Sequence, residues 1–492
     1  MNTKTITNSE YQSQSCVCRP EMSRCRFLVT AAMFAVGLAV STNAMAAKPN
    51  IIIIFNDDQG YQDLGCYGSP NIKTPNVDRL AAEGMRFTDY YVASPVCSAS
   101  RAALLTGCYP NRVGVEGVFF PNRGHEGLDP KHVTIAETLK TAGYATAAVG
   151  KWHLGDELEF LPTHQGFDSY YGIPYSNDMY PSESMKYAED CLFRDDQSPA
   201  TLKEVFAQGK LRSVKDKVPL MRDEECIEFP CDQATITRRY ADEGIKFISK
   251  SVKTQTPFFL YLANSMPHTP LFASTEFKGK SDRGLYGDVI EEIDFNTGRI
   301  LDHLEKMGVE DNTIVIFSSD NGPWLIKGEN GGSALPLFEG KMTCFEGGQR
   351  VPCIVKWPGK IIAGSVCSEM AWSMDLHPTL AKIAGAQFKP AIPADGDDIS
   401  DLWTDPGAKS PHDYFFYWHQ GSYNAVRQGD WKYHKKELFK VKKTARNTQQ
   451  PTLYNLKDDI GEANNVIAEH PEIAERLAKA LDAQIKATGA KK

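Results

Sequence analysis

The sequence predicts an α/β fold: a large, mostly parallel sheet sandwiched by helices, followed by a smaller antiparallel sheet with one helix. Three observations predict it. Continuous apolar, β-branched runs alternate with well-capped helical segments, the pattern of βαβ units. Those runs end repeatedly in ionisable residues, as strands do where an open α/β sheet binds its ligand. After about residue 400 the texture changes to short aromatic strands at hairpin spacing. The expected division is a leader over 1–46, a catalytic domain over 47–400 and a C-terminal subdomain over 401–492.

Taken in order, Arg24 and Arg26 precede an apolar run from Phe27 to Val40 and the small-residue stretch Ser41–Ala46. That reads as a signal peptide cleaved near Ala46, with Met22 as an alternative start of translation, and it predicts a periplasmic or secreted protein with no membrane attachment after cleavage. Ile51-Ile52-Ile53-Ile54-Phe55 is a strand buried on both faces, ending in Asn56-Asp57-Asp58. Thr74-Pro75 opens a helix that stops at Gly84. Thr134 and Glu137 form a capping box for a helix ending at Gly143. Tyr144 to Val149 is a strand ending in Gly150-Lys151-Trp152-His153.

A helix is expected from Asp232 to Lys250, then the strand Pro257–Leu262 leading to His268, a helix from Asp288 to Met307, and the strand Thr313–Phe317 leading to Asp320-Asn321. Tyr414–Trp418, Ala425–Arg427, Trp431–Tyr433 and Thr452–Leu456 are short strands, with a basic stretch from Lys435 to Arg446 among them. Pro471 to Ala487 closes the chain as an amphipathic helix with Ile473, Leu477, Leu481 and Ile485 on one stripe.

Composition narrows the function. The chain has 492 residues, 42% hydrophobic and 24% charged, with a net charge of −8, which gives no reason to expect a nucleic-acid partner. Of twelve cysteines, Cys16, Cys18 and Cys25 fall in the leader, which leaves nine. With Cys97 set aside, an even number remains, compatible either with disulfides, for which Cys226 and Cys231 are the best local pair, or with free buried thiols.

The chemistry centres on Ser94-Pro95-Val96-Cys97-Ser98-Ala99-Ser100-Arg101, followed by Ala102 to Gly107. Pro95 holds off the helix and Gly107 ends it, so Cys97 falls in the first helical turn, where free N–H groups favour an anion. Arg101 lies one turn on, along the same face. An isolated pattern of this kind is more often a buried thiol and a surface cation. It gains weight from the strand ends: Asp57, Asp58, Asp320 and Asn321 offer only hard oxygen donors, which suit Ca²⁺ better than Mg²⁺ and better still than zinc or iron. Lys151, His153 and His268 end further strands of the same sheet.

The Cys97 stretch resembles the sulfatase signature Cys-x-(Pro/Ala/Ser)-x-Arg that runs into Ala-Leu-Leu-Thr-Gly. Gly150-Lys151-Trp152-His153-Leu154-Gly155, Gly172-Ile173-Pro174-Tyr175-Ser176, and Gly340-Lys341 with Phe345-Glu346-Gly347-Gly348 are similar to further segments of that family. The resemblance spans about 48 to 465 and is strongest to the branch of arylsulfatase A and N-acetylgalactosamine-6-sulfatase. It implies an alkaline-phosphatase-like sheet and an exported enzyme that hydrolyses sulfate esters, of sulfated carbohydrates above all. It also implies oxidation of Cys97 to formylglycine by a maturase, of the oxygen-independent type because Ala99 stands where aerobic converting enzymes prefer proline. Asp57, Asp58, Asp320, Asn321 and residue 97 would bind calcium.

In that scheme the formylglycine hydrate attacks sulfur and forms a covalent sulfo-enzyme intermediate. Arg101, Lys151 and Lys341 face the sulfuryl oxygens, His268 protonates the leaving alcohol with Lys341, His153 takes the proton that lets sulfate leave, and Ser176 lies in the site. Two other classes compete: a phosphoester hydrolase of the same superfold, which would carry a Ser/Thr nucleophile or a histidine-rich two-metal site, and a catalytically silent calcium-dependent binder of sulfated glycans. The rim is expected from loops around His125, Trp324 to Asn330 and His419.

Overall fold

In the computed structural model, residues 48–440 and 450–490 are described; the expected leader and the basic stretch from 441 to 446 lie outside them. The isoleucine run forms the strand Asn50–Asn56, buried along its whole length. It pairs in parallel with Thr313–Ser319 on one side and Phe258–Ala263 on the other. Among the described residues the sheet has eleven strands. Thr313–Ser319, Asn50–Asn56, Phe258–Ala263, Ala145–Gly150 and Ser169–Gly172 lie side by side, all parallel. Cys353–Lys356 and Leu220–Arg222 flank this block antiparallel.

Alternation along the first strand explains why its interior, Ile51 to Phe55, carries no polar residue. Ile51, Ile53 and Phe55 pack into one apolar layer with Leu104 and Leu105 of the helix Cys97–Thr106. Ile52 and Ile54 pack into the opposite layer, with Ile248 and Ile300 from the helices Ile236–Lys253 and Leu285–Lys306. A strand covered on both faces has no side for a polar residue. The expected helix starts hold where the caps do: Pro75 begins its helix, and Thr134 and Glu137 exchange both capping bonds. Asp232 instead caps a short 3-10 turn, and the long helix begins at Ile236.

The C-terminal sheet is the antiparallel meander Phe415–His419, Ser422–Gln428, Trp431–His434 and Thr452–Asn455. The helix Pro471–Thr488 covers it with Ala474, Leu477, Leu481 and Ile485; Ala474 takes the place expected for Ile473, which is only half-buried. The apolar layer beneath includes Tyr91, Ala93, Ala103 and Tyr109 from the first part of the chain.

The described cysteines are all free. The expected Cys226–Cys231 bridge is absent. Lateral strand pairing selects the neighbour of Cys226: strand Lys186–Phe193 brings the Cys191 sulfur to 3.9 Å.

A charged cluster ties the C-terminal sheet to the rest. Glu346, wholly buried, receives Lys432 at 2.9 Å, Arg350 at 3.2 Å and the Tyr91 hydroxyl at 2.6 Å, as well as the Tyr417 hydroxyl. Burial alone would raise its pKa, but Lys432, Arg350 and Arg427 hold the carboxyl far below the usual carboxylate range. Removing one member of such a cluster strands the other charges in a dry interior. Glu346→Ala is therefore expected to destabilise the fold by about 3–5 kcal/mol in chemical denaturation; a loss under 1 kcal/mol would show that the cluster is not a structural tie.

Candidate active site

The helix Cys97–Thr106 begins after Val96 in extended geometry and ends at Gly107 in the left-handed region, as the flanking residues require. All ten of its side chains are buried, so Arg101 is not a surface cation. Cys97 stands at the first helical position. Its sulfur is 3.5 Å from Asp57 Oδ1 and 3.5 Å from Lys341 Nζ. Burial, with the Asp57 charge adding to it, pushes the thiol up to about 12, so it stays protonated at neutral pH. An unmodified thiol held this way is a poor nucleophile.

Sheet register delivers the remaining groups. Asn56 pairs with Ser319, so Asp57 and Asp320 leave neighbouring strands at the same level. Gly150 pairs with Ala263, bringing Lys151 and His268 to that edge too. The Lys151 N–H donates to the Ala263 carbonyl at 2.7 Å, and the Asp320 N–H to the Asn56 carbonyl at 3.0 Å. Gly150 has φ +113°, and a Cβ there would fall 1.8 Å from the Ala263 oxygen, so no other residue permits this turn into Lys151. Asp58 and His153 adopt positive φ of 65° and 64°, strain of the sort that clusters at functional sites.

Each carboxylate has its cation. Lys151 Nζ bonds Asp57 Oδ2; Lys341 Nζ lies 2.6 and 2.8 Å from the two Asp58 oxygens; Arg101 donates from Nε and Nη2 to Asp320 Oδ2 at 3.0 and 2.8 Å. Arg101 Nη1 donates to the Lys151 carbonyl at 3.0 Å. Nε, Nη1 and Nη2 thus all bond the protein, whereas the resemblance implied that Arg101 faces the sulfuryl oxygens. Lys341 comes from no strand end. Its N–H donates to the Pro323 carbonyl at 2.9 Å and that of Met342 to the Pro95 carbonyl at 3.0 Å, which stitches this segment between the Asp320 and Cys97 loops.

The charges are not evenly settled. Burial would raise Asp57, yet Lys151 and then His268 hold it well below the usual range. Asp58 is raised by burial against the pull of Lys341, and Asp320 is pushed up to about 7 by burial and by Asp57. Three carboxylates this close ionise fully only with more positive charge than the two lysines and one arginine supply.

A hard divalent cation fits that need. Donor atoms of Asp57, Asp58, Cys97 and His268 lie within 4.8 Å of one another. Asn321 donates to Asp58 Oδ1 at 2.8 Å and leaves its own Oδ1 buried without a hydrogen-bond partner, while the Asp58 N–H donates to Asp320 Oδ1 at 3.2 Å. The expected oxygen donors therefore converge, and His268 Nε2 lies 3.7 Å from Asp58 Oδ2.

The two histidines are fixed differently. His153 Nε2 lies 3.0 Å from the Phe119 carbonyl, which can only accept, so Nδ1 carries the lone pair; that atom is buried and unpartnered. His268 Nδ1 lies 2.7 Å from the Thr269 carbonyl and 3.0 Å from Asn177 Oδ1. Burial and Lys151 hold His153 well below its ordinary pKa, and burial and Lys341 do the same to His268. Ser176 Oγ sits between Lys151 Nζ at 3.3 Å and the His268 ring at 3.2 Å.

Asn177 is the residue that sequence reasoning missed. Its amide nitrogen also donates to the His268 and Pro270 carbonyls, and the only signal was its place directly after Ser176. Of the expected rim, Trp324 joins the site, with its ring 5.2 Å from that of His268 and 4.6 Å from Lys341 Nζ. His125 is exposed between Glu157 and Glu159, and His419 is buried at its strand end; neither touches the cluster.

Two family models match the chain: Sulfatase over residues 49–386, and the C-terminal part of N-sulphoglucosamine sulphohydrolase over 336–490. Arylsulfatase A of Bos taurus is 39% identical, with 92% of this chain and 90% of that protein covered. N-acetylgalactosamine-6-sulfatase of Canis lupus familiaris is 38% identical, over 78% of this chain and 71% of that protein. The solved structure of Ps i-CgsB in complex with k-i-k-neocarrahexaose is 33% identical with a TM-score of 0.73, covering 89% of this chain and 92% of that one. With the buried Cys97 helix, the converging carboxylates and these likenesses together, the chain belongs to the sulfatase family and is a sulfuric ester hydrolase.

Proposed function

We propose that this protein is an exported sulfatase that removes sulfate from sulfated carbohydrates, using residue 97 as formylglycine and Ca²⁺ held by Asp57, Asp58, Asp320, Asn321 and residue 97. The observation that carries the reading is the placement of residue 97: first turn of a buried helix, between Asp57 and Lys341, with a thiol too basic to act as it stands. The likeness to Ps i-CgsB, solved with a neocarrahexaose, supports a glycan substrate. No helix among the described residues is long and apolar enough to cross a membrane.

Hydrated formylglycine supplies a geminal diol, one hydroxyl to attack sulfur and the other to let sulfate depart, where serine would be trapped as its ester. A cation held by Asp57, Asp58, Asp320, Asn321 and residue 97 would supply Lewis-acid charge to the reaction. Lys341, bridging Asp58 and residue 97, stabilises the charge building on those oxygens. Lys151 and Arg101 hold Asp57 and Asp320 in place. His268 is oriented by Thr269 and Asn177, and presents Nε2 to the leaving oxygen. A bound sulfate ester brings the negative charge that raises its depressed pKa toward that of a proton donor. His153, with Nε2 tied to Phe119, keeps Nδ1 free to accept the proton of the second hydroxyl.

Sulfated mono- and disaccharides of defined regiochemistry, screened alongside mass spectrometry of the peptide carrying residue 97, test this. Formylglycine-bearing protein is expected to release sulfate, and Cys97→Ala to lose a factor of about 10³ or more in kcat. Fully converted protein that releases none would overturn the assignment.

Calcium binding gives a second test without turnover. Because burial and the Asp57 charge push Asp320 up to about 7, its proton must leave as a cation enters. Affinity is therefore expected to rise about tenfold per pH unit well below pH 7, where calorimetry is expected to show one proton released per ion, and to flatten above pH 7 as that release vanishes. Chelation is expected to lower the melting temperature of calcium-loaded protein. A pH-independent affinity would show that Asp320 is no ligand.

A further inference from the structure

The loop beyond Asp320-Asn321 carries a feature the reaction itself does not use. Pro323 leads into Trp324 and the 3-10 turn Leu325–Asn330. The turn is held at both ends: the Lys341 N–H donates to the Pro323 carbonyl, and Arg283 donates to the carbonyls of Glu329 at 3.0 Å and Gly331 at 2.9 Å. On this anchored turn, Lys327 Nζ lies 4.1 Å from the centre of the Trp324 ring. Lys341 Nζ lies 4.6 Å from the same centre. One indole thus carries two ammonium groups. Lys341 is nearly buried and paired with Asp58. Lys327 is exposed, and among the described residues its ammonium has no carboxylate partner.

We infer that Trp324 and Lys327 form a subsite for a second anionic group, a sulfate or a carboxylate, on the alcohol portion of the substrate. The inference rests on the sulfatase reading above and names the substrate class more closely: a glycan carrying another negative charge beside the ester that is cleaved. Three points support it. The Trp324 ring is 5.2 Å from the ring of His268, the group assigned to the leaving oxygen, so the subsite lies where the leaving alcohol emerges. The two ammonium groups are no further apart than their two distances to the shared ring centre allow, about 9 Å. Two substituents on one sugar ring, or on adjacent rings, span that range. An ammonium over an indole face is attracted by the ring yet keeps its charge for a further partner, and the anchored turn means little ordering is lost when the ligand arrives.

The test is calorimetry on protein that retains the Cys97 thiol, so that ligand is bound without being turned over. Three disaccharides of one backbone serve as probes: one sulfate only, the same with a second sulfate, and the same with a uronate carboxylate. Wild-type protein is expected to bind one or both doubly charged probes about three- to fivefold more tightly than the singly charged one, the range for an exposed ion pair. Lys327→Ala is expected to erase that gain and Lys327→Arg to keep it; the two doubly charged probes distinguish sulfate from carboxylate. No gain in the wild type, or a gain that survives in Lys327→Ala, would overturn the inference. Sulfate release from the singly charged probe by formylglycine-bearing wild type is scored separately: its absence across the panel would withdraw the sulfatase reading, whatever the binding ratios.

Discussion

Three buried carboxylates on one edge of a parallel sheet are the constraint on which the rest of the site depends. Asp57, Asp58 and Asp320 leave neighbouring strands at matched levels, and none is more than slightly exposed. Such a group of charges is unstable in a dry interior unless cations answer it. Lys151, Lys341 and Arg101 do so, each from a different part of the chain. A divalent ion would add the charge that leaves all three carboxylates ionised. Residue 97 and Trp324 stand against Lys341, and Ser176 links Lys151 to His268.

The fold meets this demand with few devices. Parallel pairing aligns strand ends that lie up to 263 residues apart in sequence, as in the bond from Asn321 to Asp58. Gly150 lets one strand turn close against the next. The segment from Gly340 to Thr343, hydrogen-bonded to the Asp320 loop on one side and the Cys97 loop on the other, brings Lys341 to a site that no strand end could reach it from. Positive φ at Asp58 and His153 shows that the backbone is held here against its own preference.

Farther out, Glu346 plays for the C-terminal sheet the part that the carboxylates play for the site. It follows Lys341 closely in sequence and gathers Lys432 from the C-terminal sheet with Arg350, one helical turn on, and Tyr91 of a short two-stranded sheet. The segment that delivers Lys341 is thereby tied to the C-terminal sheet. The loops beyond the sheet edge carry Trp324 and Lys327, the proposed anion subsite. Loops vary without disturbing the core that supports them.

Sequence alone determined the elements and the chemistry of their ends. The isoleucine run, the Thr134 capping box and the Pro95 and Gly107 boundaries each state a local preference that the fold keeps. Asp57, Asp58, Asp320 and Asn321 were legible as one set because parallel strands share an edge. What tertiary structure decided is partnership. It turned Arg101 toward Asp320, gave Asn177 to His268, placed Cys191 rather than Cys231 beside Cys226, and left His125 and His419 away from the cluster. Residue type and local spacing fix what a side chain can do; which neighbour it meets depends on lateral register and loop packing between segments far apart in the chain, and no local pattern encodes that.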